Sequence, residues 1–154
     1  GCIYSFFKTI NNINSDLIYF NSDLVVSTKY LNKLIKNKNK NIILCRRKKN
    51  NKSTILQDVI ISNGKIKKMD LKLKDQTFHE AVGPVRITLD LLKKIKIIRK
   101  KLNLSFYKKM PCYTFFGKYS KVFNLKTLII NDSDWHEFNN IVDLKKAKNK
   151  SLFK

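Results

Sequence analysis

An α+β fold is what this sequence predicts: an antiparallel sheet with two or three helices packed on it and basic loops around it. Short apolar segments of strand length alternate with segments whose apolar residues recur at helical spacing. The pair Asn63-Gly64 separates two apolar segments, which is typical of a β-hairpin. With 154 residues, 43% of them hydrophobic, the chain can bury one core. Residues 1–154 are therefore expected to form a single domain.

The first third of the chain predicts three short strands and one helix. Residues 17–20 and 24–26 have strand composition, although Asn-rich spacers leave the packing of residues 1–26 open. Residues 42–45 predict a strand that is flanked by two basic loops. Ser27 is expected to cap a helix whose apolar stripe consists of Tyr30, Leu31, Leu34 and Ile35.

The middle of the chain predicts a hairpin and a helix. The hairpin strands are residues 55–61 and 65–73, and the buried face of the second is expected to carry Met69, Leu71 and Leu73. The pair Gly83-Pro84 predicts a break in the chain. Thr88 is expected to cap a helix that runs to about Leu102. Its apolar stripe consists of Leu91, Ile95, Ile98 and Leu102, and its opposite, basic face of Lys93, Lys96 and Lys100.

The last third predicts paired strands and a closing helix. Residues 112–116, 122–123 and 127–130 are the expected strands. The helix is expected to begin near Asp132 or Ser133, with Asp134 and Glu137 in its first turn, and Asp132 and Asp134 are interpreted as capping residues. Residues 146–154 are expected to form a basic C-terminal tail. The buried stripe of the closing helix is expected to contain Trp135, Phe138, Ile141 or Val142, and Leu144.

The charge of the chain is its most unusual feature. Lysine and arginine number 33 against 11 acids, which gives a net charge of +22. An AT-rich genome favours lysine and asparagine, but it does not forbid acids, and the only glutamates are Glu80 and Glu137. The excess is therefore interpreted as functional. It predicts a polyanionic partner whose phosphates are bound with a steep dependence on salt.

Motifs for catalysis are absent from the sequence. His79-Glu80 and His136-Glu137 lack the second histidine of the His-Glu-x-x-His zinc motif, and no Gly-rich phosphate loop is present. The sequence therefore predicts a protein that is not an enzyme and has no small-molecule substrate.

The three cysteines predict no metal site or disulfide framework. Cys2, Cys45 and Cys112 are odd in number and widely spaced, so neither a disulfide framework nor a zinc knuckle follows from them. A reducing compartment is the simpler interpretation. No metal and no cofactor are predicted.

Basic segments and two tyrosines are the candidate RNA contacts. The basic loops around residues 42–45 and the lysine face of the helix at 88–102 are expected to meet phosphates, which fix position and not sequence. Aromatic residues interleaved with lysines in 108–123 suit stacking on unpaired bases. The candidates are Lys36, Lys38, Lys40, Arg46, Arg47, Lys48, Lys49, Lys52, Lys93, Lys96, Lys100, Tyr113 and Tyr119.

In size, charge and lack of catalytic motifs, the chain resembles a ribosomal protein, and specifically a mitochondrial one encoded by an AT-rich genome. The resemblance lies in composition along the whole chain. It implies a structural RNA-binding protein whose partners are rRNA and neighbouring ribosomal proteins. It also implies a mitochondrial location, with the cytoplasm as the alternative.

A peripheral membrane protein is the alternative from another class. Residues 1–5 fit a myristoylation pattern, and Cys2 is a neighbour that can be palmitoylated, so that lysines would face anionic lipid. Residues 1–28 contain only one lysine, Lys8, which disfavours this interpretation. No apolar run approaches the ~20 residues of a membrane span.

Overall fold

The computed structural model describes residues 2–48, 56–71, 73, 77–108 and 110–148. Lys49 and Lys52, and residues 149–154 of the predicted tail, lie outside the described residues. Two 3₁₀ turns occupy Ile10–Asn12 and Asp132–Asp134. In chain order the other elements are α1 (Cys2–Thr9), β1 (Leu17–Tyr19), β2 (Leu24–Val26), α2 (Thr28–Lys36), β3 (Ile42–Arg47), β4 (Gln57–Ser62), β5 (Lys65–Asp70), β6 (His79–Ile87), α3 (Leu89–Lys100), α4 (Leu104–Tyr107), α5 (Cys112–Lys118), α6 (Ser120–Phe123), β7 (Lys126–Ile129), β8 (Trp135–Glu137) and α7 (Ile141–Lys148).

A mixed six-stranded sheet forms the centre of the fold. β6 pairs antiparallel with β3, and β3 pairs in parallel with β7. β5 joins β7 to β4, and β4 returns to the start of β6, so five strands close into a barrel. β1 is added to the other end of β6 as a sixth strand. The predicted antiparallel sheet with two or three helices is therefore wrong, because the parallel pair and the closure join segments far apart in the chain.

The pair Gly83-Pro84 lies inside the longest strand and does not break the chain. Gly83 has φ +138, a backbone conformation that residues with a side chain rarely adopt. It marks the point where β6 exchanges one neighbour for another, since β4 pairs with residues 79–81 and β1 with residues 85–87. The ladder to β3 is irregular at the same level, which accommodates a proline without an N–H. The predicted break is thus a local distortion of a continuous strand.

Two apolar clusters support the sheet. The larger one joins α1, α3 and α5, and it is rich in aromatic rings: Phe7 and Phe115 meet edge to face with centroids 5.1 Å apart. The packing of residues 1–26, which the sequence left open, is settled in part by α1, whose Phe6 and Phe7 are buried there. The smaller cluster joins α2 to a separate ribbon of β2 and β8 through Leu34 and Trp135.

Several predicted elements are confirmed. β1, β2, β3 and β7 lie where strands are expected. α2 begins after Ser27 and buries two of its four predicted residues, Tyr30 and Leu34, but the Ser27 side chain makes no capping hydrogen bond, so that part of the prediction is wrong. α3 begins after Thr88, whose hydroxyl oxygen accepts a hydrogen bond from the Leu91 amide at 3.3 Å. This is the side-chain cap that the sequence predicts.

Residues 112–123 form the helices α5 and α6, where strands are predicted. The strand composition of the aromatic residues suggested a sheet. Gly117 lets α5 lie directly against β5, because a Cβ there would clash with the Met69 carbonyl oxygen. The buried positions follow helical spacing, which decides the structure; they are Cys112, Phe115, Phe116, Ser120 and Phe123.

Residues 132–148 also differ from the prediction. A 3₁₀ turn and β8 precede α7, which begins only at Ile141, so Asp132 and Asp134 do not cap an α-helix. Trp135 is buried, but Ile141 and Val142 are 70% and 52% exposed. The predicted buried stripe therefore does not include Ile141 or Val142, and the side chain of Leu144 lies outside the described residues.

The hairpin of β4 and β5 is confirmed, but its buried face is not the predicted one. Asn63 and Gly64 both have positive φ, as a type I′ turn requires. Met69 is buried as expected, whereas Leu71 is 44% exposed and Leu73 is only partly buried. β5 ends at Asp70, so Leu71 and Leu73 lie beyond the strand and its two-residue alternation does not extend to them.

Gly64→Val is expected to lower the free energy of unfolding by ~1 kcal/mol or more, because a β-branched residue resists positive φ. Gly64 has φ +69, and an added Cβ would have no atom within 4 Å, so the loss reports backbone conformation alone. Urea unfolding measures it. Gly64→Asn is the matched control and should cost less, since asparagine tolerates this conformation. A valine variant as stable as the parent would mean that the turn is misassigned.

Among the described helices, none combines the length and apolar character needed to span a bilayer.

Candidate functional site

The ribbon of β2 and β8 brings Asp23 and Glu137 together. Asp23 follows β1 after a short turn and immediately precedes β2. Leu24 pairs with Glu137, and the Phe138 amide donates to the Asp23 carbonyl oxygen at 2.8 Å. These main-chain contacts hold two acidic residues at one end of the ribbon, close to the carboxyl end of β1.

Two buried polar atoms at this end have no hydrogen-bond partner within the described part of the chain: Oδ1 of Asp23 and the hydroxyl of Tyr113. Tyr113 comes from α5 and lies over Gly83, where an added Cβ would be 3.4 Å from its hydroxyl and would clash with Leu24. Asp23 and Glu137 both act electrostatically on Tyr113. Buried polar atoms are normally paired, so these unpaired oxygens indicate a site for a polar ligand.

The surroundings raise the pKa of the Glu137 carboxyl. Burial is the main cause, because it disfavours the charged form, and the like charges of Asp23 and Asp143 act in the same direction. A hydrogen bond with Asn139 and the positive charge of Arg46 act in the opposite direction. A cation bound between Asp23 and Glu137 would relieve this repulsion, so the electrostatics of the site favour cation binding.

The beginning of α7 fixes the segment that carries Glu137. Asn140 Oδ1 accepts hydrogen bonds from two amides of α7 at 2.9 and 3.1 Å, and so caps the helix. Asp143 Oδ2 accepts from the Asn139 amide at 3.1 Å, and the Asp143 carbonyl oxygen lies 3.1 Å from His136 Nε2. Both contacts tie the helix to the strand that ends at Glu137.

Arg46 connects the ribbon to the barrel. Its guanidinium lies 2.8 Å from Glu80 Oε2, 3.4 Å from Asp132 Oδ1 and 5.1 Å from the centroid of the Trp135 ring. Glu80 has no exposed surface, so the arginine compensates a charge that is buried in the barrel. Arg46 is one of the predicted RNA contacts, but these three partners engage it within the fold. It is a positioning residue for β8.

A cavity of about 540 Å³ opens beside Asp23, between α1, β1 and the turn that joins β1 to β2. Its volume is that of a small-molecule site. The Tyr19 hydroxyl donates to Asn21 Oδ1 at 3.1 Å and so steadies the turn. The polar lining is Cys2, Ser5, Thr9, Tyr19, Asn21, Ser22 and Asp23, and the apolar lining is Phe6, Ile10, Ile13, Leu17, Ile18 and Phe20.

Metal-ligating side chains do not form a complete cage here. Within the described ranges, no three histidine, cysteine or acidic side chains lie together so that they could hold a metal. Asp23 and Glu137 supply two carboxylates, which is the number that Mg²⁺ commonly takes from a protein when phosphates and waters complete its shell. The site therefore suits a cation that arrives with a bound phosphate.

The predicted RNA contacts lie on separate elements. Lys36, Lys38 and Lys40 are exposed at the end of α2 and just beyond it. Arg47 is exposed at the end of β3, but Lys48 Nζ lies 2.7 Å from Asp58 Oδ1 in an ion pair. The ion pair between Lys48 and Asp58 belongs to the barrel, so part of this basic segment stabilises the fold.

The basic face of α3 is also partly engaged. Lys93 and Lys100 are exposed, whereas Lys96 Nζ donates to the carbonyl oxygens of Asn11 and Ile13 at 3.2 and 2.8 Å. Lys96 therefore holds the 3₁₀ turn after α1 against α3.

The two predicted stacking tyrosines have different surroundings. Tyr119 stacks on Phe123 with an interplanar angle of 29° and centroids 5.6 Å apart, and it also contacts Phe115. Its ring belongs to the aromatic core. Tyr113 lies at the acidic site described above, where its hydroxyl is buried and has no hydrogen-bond partner in the described part of the chain.

Sequence reasoning missed Asp23 and interpreted Glu137 as a residue of a helix start. One signal was present: an acid follows the apolar strand at 17–20 after two small polar residues. The pairing with Glu137 had no signal, because more than a hundred residues separate the two.

No protein-family model matches the chain, and no curated protein sequence is significantly similar to it. Solved structures do resemble it. One is the inositol-1-phosphate CTP transferase from T. maritima, with a TM-score of 0.74 and 16% identity over 93% of this chain and 57% of that one. Another is a protein assigned as a glucose-1-phosphate thymidylyltransferase from Bacillus anthracis, in complex with a sucrose. Its TM-score is 0.67, with 16% identity over 94% of this chain and 57% of that one.

At this identity the likeness shows the fold, and the chain spans little more than half the length of either neighbour. Both neighbours are nucleotidyltransferases. This likeness contradicts the predictions of a mitochondrial ribosomal protein, of RNA binding, and of a chain that is not an enzyme. The predicted partners, rRNA and ribosomal proteins with no small-molecule substrate, are wrong for the same reason.

The composition misled because net charge reports affinity for anions in general, and phosphorylated small molecules are anions too. The acylated membrane protein is not supported by the fold either. Cys2 is part of α1, and its sulfur accepts a hydrogen bond from the Cys112 amide at 3.0 Å.

Proposed function

We propose that this chain takes part in nucleotidyl transfer to the phosphate of a phosphorylated sugar or polyol. The observation that carries the proposal is the pair of Asp23 and Glu137, with its unpaired Asp23 Oδ1, at the carboxyl end of β1 beside a cavity of small-molecule size. The names of the two structural neighbours, which specify inositol 1-phosphate and glucose 1-phosphate, support the substrate class.

The reaction joins two anions, and this explains what the site must supply. An oxygen of the acceptor phosphate attacks the α-phosphorus of a nucleoside triphosphate, and the bond to the β-phosphate breaks to release pyrophosphate. Catalysis of such transfers rests mainly on positioning and on electrostatic stabilisation. The +22 charge attracts both anionic substrates to the surface.

Asp23 and Glu137 would hold a divalent cation of the Mg²⁺ type. Both offer carboxylate oxygens, one oxygen is unpaired, and the pKa of Glu137 is raised in part by the charge of Asp23. When bound, the cation supplies positive charge next to the phosphates. The chain has no Gly-rich phosphate loop. Its proposed contribution to the reaction is therefore the acidic pair and the cavity, without a nucleotide-binding loop.

Asp23→Asn is expected to weaken binding of Mn²⁺, used as a probe for Mg²⁺, by about tenfold or more, because one of two anionic ligands is lost. Calorimetric titration measures the affinity. Asp90→Asn is the control, since Asp90 is an exposed acid in the first turn of α3 and the charge change is the same. The affinity of the parent should rise with pH as the Glu137 carboxyl, whose pKa is raised above 4.5, loses its proton.

Substrate binding is the second part of this test. With Mn²⁺ present, inositol 1-phosphate or glucose 1-phosphate should bind the parent and bind Asp23→Asn more weakly. If Asp23→Asn and Asp90→Asn retain the same cation affinity, Asp23 is not a ligand. If neither phosphate binds at millimolar concentration, the acceptor assignment is wrong.

A further inference from the structure

Cys2 and Cys112 form a contacting pair between α1 and α5. The Cys112 amide donates to Cys2 Sγ at 3.0 Å, and the two thiol groups are hydrogen-bonded to each other. Cys2 is exposed and lines the cavity beside Asp23, whereas Cys112 has no exposed surface. An exposed cysteine therefore lies directly beside a fully buried one.

The contact prepares the two thiols for different parts of one reaction. The hydrogen bond from Cys112 is the main cause that lowers the pKa of the Cys2 thiol from 9.0 to about 6, so Cys2 is largely a thiolate at neutral pH. Burial raises the pKa of the Cys112 thiol well above its usual range. Cys45 offers a comparison, because it is buried and its pKa is raised to about 12.

We propose that Cys2 and Cys112 form a reversible disulfide by exchange with a small disulfide of the glutathione type. The Cys2 thiolate attacks one sulfur of the reagent, which forms a mixed disulfide and releases one thiolate. The Cys112 sulfur then attacks the Cys2 sulfur and releases a second thiolate, which takes up the Cys112 proton. Two protein thiols are oxidised, and the small disulfide is reduced to two thiols.

The disulfide would join the first helix to α5, and it would do so at the wall of the candidate site. Cys112 immediately precedes Tyr113, whose hydroxyl lies among the acidic residues, and Cys2 shares the cavity with Asp23. The inference rests on the hydrogen bond from the Cys112 amide to Cys2 Sγ, and it does not depend on the proposed function.

The test exposes the folded, reduced chain to oxidised glutathione at neutral pH and follows its intact mass. We expect most molecules to lose the mass of two hydrogens, and digestion should yield a linked peptide that contains Cys2 and Cys112. Dithiothreitol should reverse the change. Cys45→Ser should react like the parent, and Cys2→Ser, which removes only the exposed sulfur, should not form the link.

Three outcomes would overturn the proposal. The first is a chain that keeps both thiols under these conditions. The second is a stable mixed disulfide at Cys2 as the final product, which would mean that Cys112 does not resolve it. The third is a link that involves Cys45.

Discussion

Arg46→Met is expected to lower the free energy of unfolding by about 3–5 kcal/mol, because it removes the guanidinium that compensates a buried carboxylate. Glu80 has no exposed surface, and its Oε2 lies 2.9 Å from Arg46 Nε and 2.8 Å from a terminal nitrogen of the same guanidinium. Methionine keeps much of the aliphatic length of arginine, so the loss reports charge more than volume. Urea unfolding at pH 7 measures it.

Arg47→Met is the matched control for this prediction. Arg47 is the next residue of β3 and is exposed, so its replacement should change stability by less than about 0.5 kcal/mol. Adding Glu80→Gln to Arg46→Met should recover part of the loss, because the buried carboxylate is replaced by a neutral amide. If Arg46→Met and Arg47→Met are equally stable, the ion pair between Arg46 and Glu80 does not stabilise the barrel.

Phe115→Ala is the second large effect, with an expected loss of about 3–5 kcal/mol in the free energy of unfolding. Phe115 is fully buried, and its ring has four aromatic neighbours with centroids 5.1 to 5.8 Å away: Phe7, Phe116, Tyr119 and Phe123. Removing the ring leaves a cavity that these neighbours fill only in part. Val122→Ala is the control, because Val122 is 59% exposed on the next helix and should cost little.

Phe116→Ala distinguishes the helix from the strand that the sequence predicts. Consecutive residues of a strand point to opposite faces of the sheet, so a strand with one wet face would spare one of the two phenylalanines. In α5 both are fully buried. A large loss in both variants therefore agrees with the helix, and a large loss in only one would contradict it.

Local chemistry predicted the parts of the fold that depend on a few neighbouring residues. The Asn63-Gly64 turn needs only two positive φ angles, and the start of α3 needs only the Thr88 cap and its apolar spacing. The barrel depends instead on the parallel pairing of β3 with β7, and no pattern in either strand specifies that partner. Gly83-Pro84 was misleading because a turn and a distorted strand use the same residue types.

The candidate site was less predictable than the fold. Charge drew attention to the lysines and arginines, yet Arg46, Lys48 and Lys96 are engaged by the fold itself. Asp23 and Glu137 become neighbours only through the ribbon, which forms after distant segments have met. In a chain with so few acids, the proximity of Asp23 to Glu137 is more informative than the basic majority.

The parallel pairing of β3 and β7 also bears on how fast the chain folds. Ile42 pairs with Lys126, so the barrel cannot close until the long segment between them has been ordered or forms a closed loop. The β4–β5 hairpin can form in microseconds, but non-local pairings are slow because the entropy of a long loop is lost before its contacts form. During synthesis, β3 must leave the ribosome and wait for β7. Until then the edge of this apolar strand that pairs with β7 has no partner. During this interval the chain is most prone to aggregate.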